Sequence, residues 1–113
     1  MHESTFLILT ALATQPLHGY GVVQAVEELS AGDVKLRPGT LYGALDRLVE
    51  QRLIEVDREE AVDGRLRRYY RLNEAGAVAL QAQAERLRRQ AAAADAQLSK
   101  RLGGAPGVGS VIA

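Results

Sequence analysis

The spacing of apolar residues changes near residue 53, and this change limits the chain to folds that join helices to a small sheet. Before that point, apolar side chains recur every three or four residues, as they do on one face of an α-helix. From Ile54 to Arg58 they alternate with charged residues, which is the pattern of a half-buried strand. After Asn73 the helical spacing returns. The predicted fold class is therefore mainly α with a small β-hairpin.

Three short helices are predicted before this change. The first covers residues 4–13 and ends before Pro16, and the second covers residues 18–29. The third begins at Pro38, a residue that the first turn of a helix accepts. Its apolar residues recur at i, i+3, i+4 and i+7 and form one stripe that we expect to be buried: Leu41, Ala44, Leu45 and Leu48. Three short helices with tight connections favour a helical DNA-binding core.

A hairpin and one long helix complete the predicted order of elements. The hairpin pairs residues 54–58 with residues 67–72 across a turn at residues 61–64, and it is a candidate wing. The long helix covers residues 73–102, and Asn73 is its expected N-cap. Together these elements predict a winged helix-turn-helix followed by a long C-terminal helix.

The long helix carries a heptad seam that the domain alone is too small to cover. Its small and apolar residues are spaced 4, 3, 4, 3 and 4 apart: Leu80, Ala84, Leu87, Ala91, Ala94 and Leu98. A helix of this length spans about 45 Å, so we expect the seam to form the interface of a homodimer. The chain then divides into a DNA-binding domain at residues 1–72, a dimerisation helix at 73–102 and a flexible tail at 103–113.

An arginine cluster in the hairpin is the strongest sign of a binding function. Residues 64–71 contain four arginines and no acid, although the charges of the 14 basic and 14 acidic residues in the whole chain sum to zero. A guanidinium group donates two parallel hydrogen bonds to phosphate oxygens, so Arg65, Arg67 and Arg68 are candidate DNA contacts. In the alternative interpretation, these arginines pair with the acids of the preceding strand, and the sequence leaves both interpretations open.

The start of the third helix is a second candidate contact with DNA. A helix N-terminus presents unpaired N–H groups and a positive dipole end to phosphate. If the apolar stripe faces the core, several small, polar and basic residues remain for the major groove: Lys35, Arg37, Gly39, Thr40, Tyr42, Gly43 and Arg47. Asp46 and Glu50 would repel a DNA backbone, so we expect contacts in the first turn and a half.

Several classes of protein are disfavoured by composition. The chain has no cysteine and only two histidines, so no metal site and no bound cofactor is expected. No nucleophile and base form a recognisable constellation, so we do not expect an enzyme. The apolar runs are far too short for a membrane span, and Glu3 disfavours a basic signal-peptide start. We expect a cytoplasmic protein.

Three groups of residues resemble the PadR family of winged-helix transcriptional regulators, specifically its short members with a single C-terminal helix. The first group is HGYG at residues 18–21, and the second is GTLY at 39–42 followed by ALxRL at 44–48. The third is Gly64-Arg65 with RYYxL at 68–72 and Gly76. Their order and spacing together are specific, whereas each alone is weak. The resemblance covers residues 6–102.

The resemblance implies a homodimer that binds a pseudo-palindromic operator and usually represses transcription. By analogy, the third helix enters the major groove and the wing lies along the backbone or the minor groove. Thr40 and Tyr42 would contact DNA, with the hydroxyl of Tyr42 reaching a phosphate. Many relatives sense small molecules near the dimer interface, so we hypothesise an effector whose identity the sequence does not indicate.

This chain departs from the family pattern at four positions. Gly43 stands where the family commonly has proline, and Leu66 stands where proline is frequent in the wing. Arg52 replaces the glycine that usually ends the third helix, and Asn73 replaces a threonine or serine cap. An arginine forced into the left-handed conformation would cost on the order of 1 kcal/mol. The alternative function is a winged-helix protein-interaction module that does not bind specific DNA.

Overall fold

The structure is a computed structural model that describes residues 1–103. Apart from Gly103, the predicted flexible tail lies outside these residues. Within these residues, four helices and a three-stranded antiparallel sheet follow one another in this order: α1 (Glu3–Ala11), β1 (Leu17–His18), α2 (Gly19–Leu29), α3 (Pro38–Glu50), β2 (Ile54–Val62), β3 (Arg65–Leu72) and α4 (Glu74–Arg101). This is a winged helix-turn-helix with a long C-terminal helix, as the sequence predicts.

Two compact units divide the chain. The first comprises Met1–Gln81, and the second begins at Ala82, within α4. The core of the first unit combines side chains from α1, α2, α3, β2 and β3. All four residues of the predicted α3 stripe are buried, with exposed fractions of 3% or less, which confirms which face of α3 packs inward.

The sheet contains one strand more than the sequence predicts. β3 lies in the middle and pairs with β2 on one side and with β1 on the other. β1 has only two residues, with Leu17 opposite Tyr70 and His18 opposite Tyr69. The prediction of two strands is therefore incomplete, because a two-residue strand leaves no periodic pattern in the sequence. This short strand fixes the start of α2 against the hairpin.

The end of α3 is a Schellman motif with an arginine at the position that glycine usually occupies. The N–H of Arg52 donates to the carbonyl of Val49 at 3.0 Å, and the N–H of Leu53 donates to the carbonyl of Leu48 at 3.0 Å. Arg52 has a φ of 61°, in the left-handed region. The helix therefore ends with Arg52 in this strained conformation, at a cost of about 1 kcal/mol. The side-chain amide of Asn73 donates to the Arg52 carbonyl at 2.8 Å and stabilises the bend.

The same asparagine begins α4. The N–H of Gly76 donates to Oδ1 of Asn73 at 2.8 Å, which confirms the predicted N-cap. Gly76 is buried, and a Cβ atom there would collide with the carbonyl oxygen of Leu53 and would lie 2.6 Å from Cδ1 of Leu72. The first turn of α4 therefore packs directly on the segment that joins α3 to β2.

The predicted seam residues fall in both units. Leu80, in the first unit, is half-buried and packs against the core of that unit. Ala84 is half-buried, whereas Leu87, Ala91, Ala94 and Leu98 are exposed, the two leucines by 39% and 52%. None of the helices within residues 1–103 is long and apolar enough to cross a membrane.

We predict that Gly76→Ala destabilises the protein by more than about 2 kcal/mol, because the methyl group has no space beside the Leu53 carbonyl. Chemical denaturation followed by circular dichroism measures this loss. Gly39→Ala in α3 is the matched control, since its added Cβ would meet no atom within 4 Å other than those of its chain neighbours and its own helix backbone. This control should leave the free energy of unfolding unchanged or raise it by up to about 1 kcal/mol. Equal effects of the two substitutions would contradict the packing at Gly76.

Candidate nucleic-acid interface

A groove of about 910 Å³ lies between α3 and the hairpin of β2 and β3. The first residues of α2 form its third side. Its lining combines aromatic, basic and acidic side chains: His18, Gly19, Tyr20, Tyr42, Asp46, Glu59, Val62, Asp63, Arg65, Leu66, Arg67, Arg68 and Tyr70. We refer to this surface as the α3–wing groove.

Four of the predicted DNA contacts line the α3–wing groove together. Tyr42 comes from α3, and Arg65, Arg67 and Arg68 come from β3. Tyr42 is half exposed, at 51%, so part of its surface is available to a ligand.

The other predicted contacts lie outside the lining of this groove. Gly39 and Thr40 are exposed in the first turn of α3, and Arg37 is the residue before that helix. Gly43 is half-buried. A ligand that contacts both these residues and the groove arginines must therefore be larger than the groove.

The two remaining basic residues have other surroundings. Lys35 lies 4.0 Å from Glu27, a long contact between exposed side chains that is worth little. Arg47 lines a separate cavity of about 200 Å³, together with residues at the start of α1. The structure therefore does not bring Lys35 or Arg47 into the α3–wing groove.

Three of the four acids of β2 are paired with arginines other than those in the groove, and Glu59 is the exception. Arg58 binds Asp57 at 3.0 Å and Glu60 at 2.8 Å. Arg71 binds Glu55 at 3.4 Å and Asp57 at 3.5 Å. These contacts lower the pKa of Glu60, mainly through the hydrogen bond from Arg58.

The arginines of the groove form no such pairs. Within residues 1–103, no carboxylate oxygen lies within 4.0 Å of the cationic nitrogens of Arg65, Arg67 or Arg68. Arg67 and Arg68 stand opposite Glu60 and Glu59 in the strand register, yet the side chains do not form ion pairs. In this structure the three arginines therefore form no ion pairs with the acids of the preceding strand, although their charges still influence Glu59 and Glu60.

Acidic side chains nevertheless reduce the positive potential of the groove. Asp46, Glu59 and Asp63 line it beside the three arginines. The pKa of Arg68 is raised, first by its interaction with the Tyr70 hydroxyl and then by the charges of Glu59 and Asp46. The groove therefore carries as many acids as arginines, and an anion would have to contact the guanidinium groups directly.

An aromatic contact connects the hairpin to the start of α2. The ring of His18 lies 5.3 Å from the ring of Tyr69, with a tilt of 50°. The guanidinium carbon of Arg58 lies 3.9 Å above the centre of the same Tyr69 ring, which is a cation–π contact. His18, just before α2, and Arg58, on β2, thus both contact the strand that carries the groove arginines.

Sequence reasoning missed the lining contributed by α2. His18, Gly19 and Tyr20 enter the groove because β1 pairs with the end of β3 that carries Tyr69 and Tyr70. The HGYG run was the available signal, since a conspicuous motif next to a helix start can mark a site as well as a turn. Its partner strand could not be identified from a run of two residues.

Comparison with known proteins identifies the family. Residues 8–82, more than half of the chain, match the model of the transcriptional regulator PadR-like family. The chain belongs to this family, as its motifs predict.

Curated relatives match parts of the chain. The transcriptional regulator Rv3488 of Mycobacterium tuberculosis is 42% identical over 73 residues, which are 65% of this chain and 64% of that protein. The transcriptional regulator YqjI of Escherichia coli is 40% identical over 58 residues, 51% of this chain and 28% of that protein. An uncharacterized protein of a Streptomyces fradiae transposon is 45% identical over 53 residues, 47% of this chain and 15% of that protein. The matches thus span between 15% and 64% of these relatives' lengths.

Solved structures share the fold. A PadR family transcription regulator from Clostridium difficile has a TM-score of 0.68 at 22% identity, covering 91% of this chain and 100% of that one. Bacillus subtilis PadR in complex with operator DNA has a TM-score of 0.62 at 20% identity, covering 70% of this chain and 46% of that one. At these identities the likeness concerns the fold.

We predict that acid destabilises the protein partly through His18. Burial, and then the positive charge of Arg67, lower the pKa of His18 below its ordinary value of 6.5. The unfolded chain therefore binds more protons than the folded chain as pH falls through about 6.5 and below, so the folded state loses stability there. Between about pH 7.5 and pH 5.5, the free energy of unfolding should fall less in His18→Gln than in the parent protein. His2 is exposed and common to both proteins. Identical pH profiles of the two proteins would show that His18 does not contribute to the loss of stability in acid.

Proposed function

We propose that this protein is a sequence-specific DNA-binding regulator of transcription that acts as a homodimeric repressor on a pseudo-palindromic operator. The observation that carries the proposal is the arrangement of Arg65, Arg67 and Arg68, which line one groove with Tyr42 and have no carboxylate partner within residues 1–103. Family membership supports the proposal, and so does the operator DNA bound to Bacillus subtilis PadR.

In the proposed complex, the first turn of α3 enters the major groove. Gly39 and Thr40 are exposed there, and α3 has no acid in its first turn, so phosphate and base edges can approach the helix N-terminus closely. The hairpin then extends Arg65, Arg67 and Arg68 towards the phosphates that flank the contacted bases. Phosphate contacts of this kind position the protein, whereas base contacts provide sequence specificity.

The proposal assigns residues 1–72 to DNA binding and residues 73–102 to dimerisation. Exposed Leu87 and Leu98 support the second assignment, because a partner helix would remove both side chains from water. A two-fold dimer places two α3 helices on the two halves of a palindromic site. A small-molecule effector near this interface, a cytoplasmic location and the absence of catalytic activity are further parts of the proposal.

The proposed function is tested by selecting duplexes from a random-sequence library and measuring binding by fluorescence anisotropy across a salt series. The selected duplex should bind at least about 1000-fold more tightly than a scrambled duplex of equal length, and its affinity should fall steeply with salt. Equal, salt-sensitive binding of both duplexes would contradict sequence specificity. Absence of binding to either duplex at low salt would favour the alternative, a winged-helix protein-interaction module.

We predict that Arg67→Ala and Arg68→Ala each weaken binding to the selected and the scrambled duplex alike. Each should lower the slope of log affinity against log salt by about one, because one phosphate contact is lost. Arg71→Ala, on the same strand, is the matched control, since Arg71 is already paired with Glu55 and Asp57. If all three substitutions changed the slope equally, general charge rather than the groove arginines would govern binding.

We predict that Leu87→Asp disrupts the dimer, because a carboxylate buried in the seam would have no partner. Light scattering at several protein concentrations measures the molar mass. Ala96→Asp changes the charge by the same amount on the opposite face of α4, so this control should remain dimeric. A dimeric Leu87→Asp protein would place the interface elsewhere.

A further inference from the structure

Gly19, the first residue of α2, is in direct contact with the ring of Tyr42 on α3. A Cβ atom at Gly19 would lie 2.6 Å from the hydroxyl oxygen of Tyr42, 3.0 Å from Cζ and 3.2 Å from Cε1. Carbon atoms that are not bonded attract each other best at about 3.5–4.0 Å, so any side chain at position 19 would displace the ring. The present position of Tyr42 therefore requires glycine at residue 19.

The backbone at Gly19 gives no other reason for a glycine. Its φ lies outside the left-handed region. Among the glycines of residues 1–103, the three with a left-handed φ are Gly32, Gly64 and Gly103. Within a helix, alanine is favoured over glycine by up to about 1 kcal/mol. Local propensity alone would thus prefer alanine at the start of α2, and what a methyl group there would disturb is the ring of Tyr42.

The contact fixes one side of a ring whose other side is open. Gly19 is buried, whereas Tyr42 is 51% exposed. Both residues line the α3–wing groove with Arg67 and Arg68. A tyrosine side chain on a helix surface can rotate about χ1 and χ2, and the glycine surface gives this ring one close-packed position in the groove.

We infer that Gly19 is a positioning residue for DNA recognition: it sets the ring of Tyr42 at the position from which the hydroxyl reaches a phosphate of the duplex. This role rests on the proposed function. Gly19 acts through Tyr42 and makes no contact of its own with DNA. It follows that a methyl group at residue 19 weakens duplex binding only when Tyr42 is present.

A double-mutant cycle tests the role with four proteins: the parent, Gly19→Ala, Tyr42→Ala and the double variant. Two quantities are measured on each, the affinity for the selected duplex and the stability in chemical denaturation. Gly21→Ala is the control, because it adds a methyl group to the same helix, and that methyl would meet the side chains of His18 and Leu17 rather than Tyr42.

We expect Gly19→Ala and Tyr42→Ala each to weaken binding about 10-fold, as expected for the loss of one well-placed hydrogen bond. The double variant should bind like Tyr42→Ala alone, and not about 100-fold more weakly than the parent, because the two residues act as one unit. Stability should show the same coupling, with the methyl group tolerated once the ring is absent. Gly21→Ala should change affinity less than about 2-fold and show no coupling to Tyr42.

Three results would overturn the inference. Additive losses would mean that the methyl group acts on something other than Tyr42, and unchanged affinity in Gly19→Ala would mean that the ring does not need the glycine. If Gly19→Ala fails to fold because its methyl group collides with the Tyr42 ring, the double variant, which lacks the ring, should fold. If neither variant folds, the collision with Tyr42 is not the cause and the inference is wrong. If the parent protein binds no duplex, the proposed function itself is refuted. The stability measurements still test the contact between Gly19 and Tyr42 in that case, because they need no DNA.

Discussion

Burial of the apolar stripe of α3 is the constraint that sets the rest of the surface. Leu41, Leu45 and Leu48 have exposed fractions of 2% or less, so the rotation of the helix about its axis is fixed. Thr40 and Tyr42, the neighbours of Leu41 in the chain, then face outward. A rotation by one residue, about 100°, would bury Tyr42 and expose Leu41. The core thus determines which side chains a ligand meets.

The second determinant is how the hairpin distributes its charges. Arg58 and Arg71 bind Asp57, and each also binds one glutamate of β2, so much of the negative charge of that strand is compensated without the groove arginines. Arg65, Arg67 and Arg68 have no carboxylate partner within residues 1–103, although Asp46, Glu59 and Asp63 line the same groove. The neutral total also means that attraction to DNA would be local, with little long-range steering.

The sequence alone predicts the elements whose positions follow from regular spacing of apolar residues or from residue type. The stripe of α3, the hairpin, the long helix and the cap at Asn73 all follow from spacing and residue type, and the structure confirms them. The sequence could not predict β1, since two residues carry no period, and so it missed His18, Gly19 and Tyr20 as groove lining. It also left open whether Arg52 is left-handed and which arginines pair with the acids, because both depend on tertiary contacts.

The most direct test of the central claim is hydrogen–deuterium exchange of the protein, free and bound to its selected duplex. If the α3–wing groove and the first turn of α3 form the DNA surface, binding should slow exchange at residues 37–43 and 64–68. Exchange in the segment around Glu55 and Arg71, whose ion pairs lie within the hairpin, should change little. Protection confined to α4, or to the acidic strand β2, with residues 37–43 and 64–68 unaffected, would contradict the account.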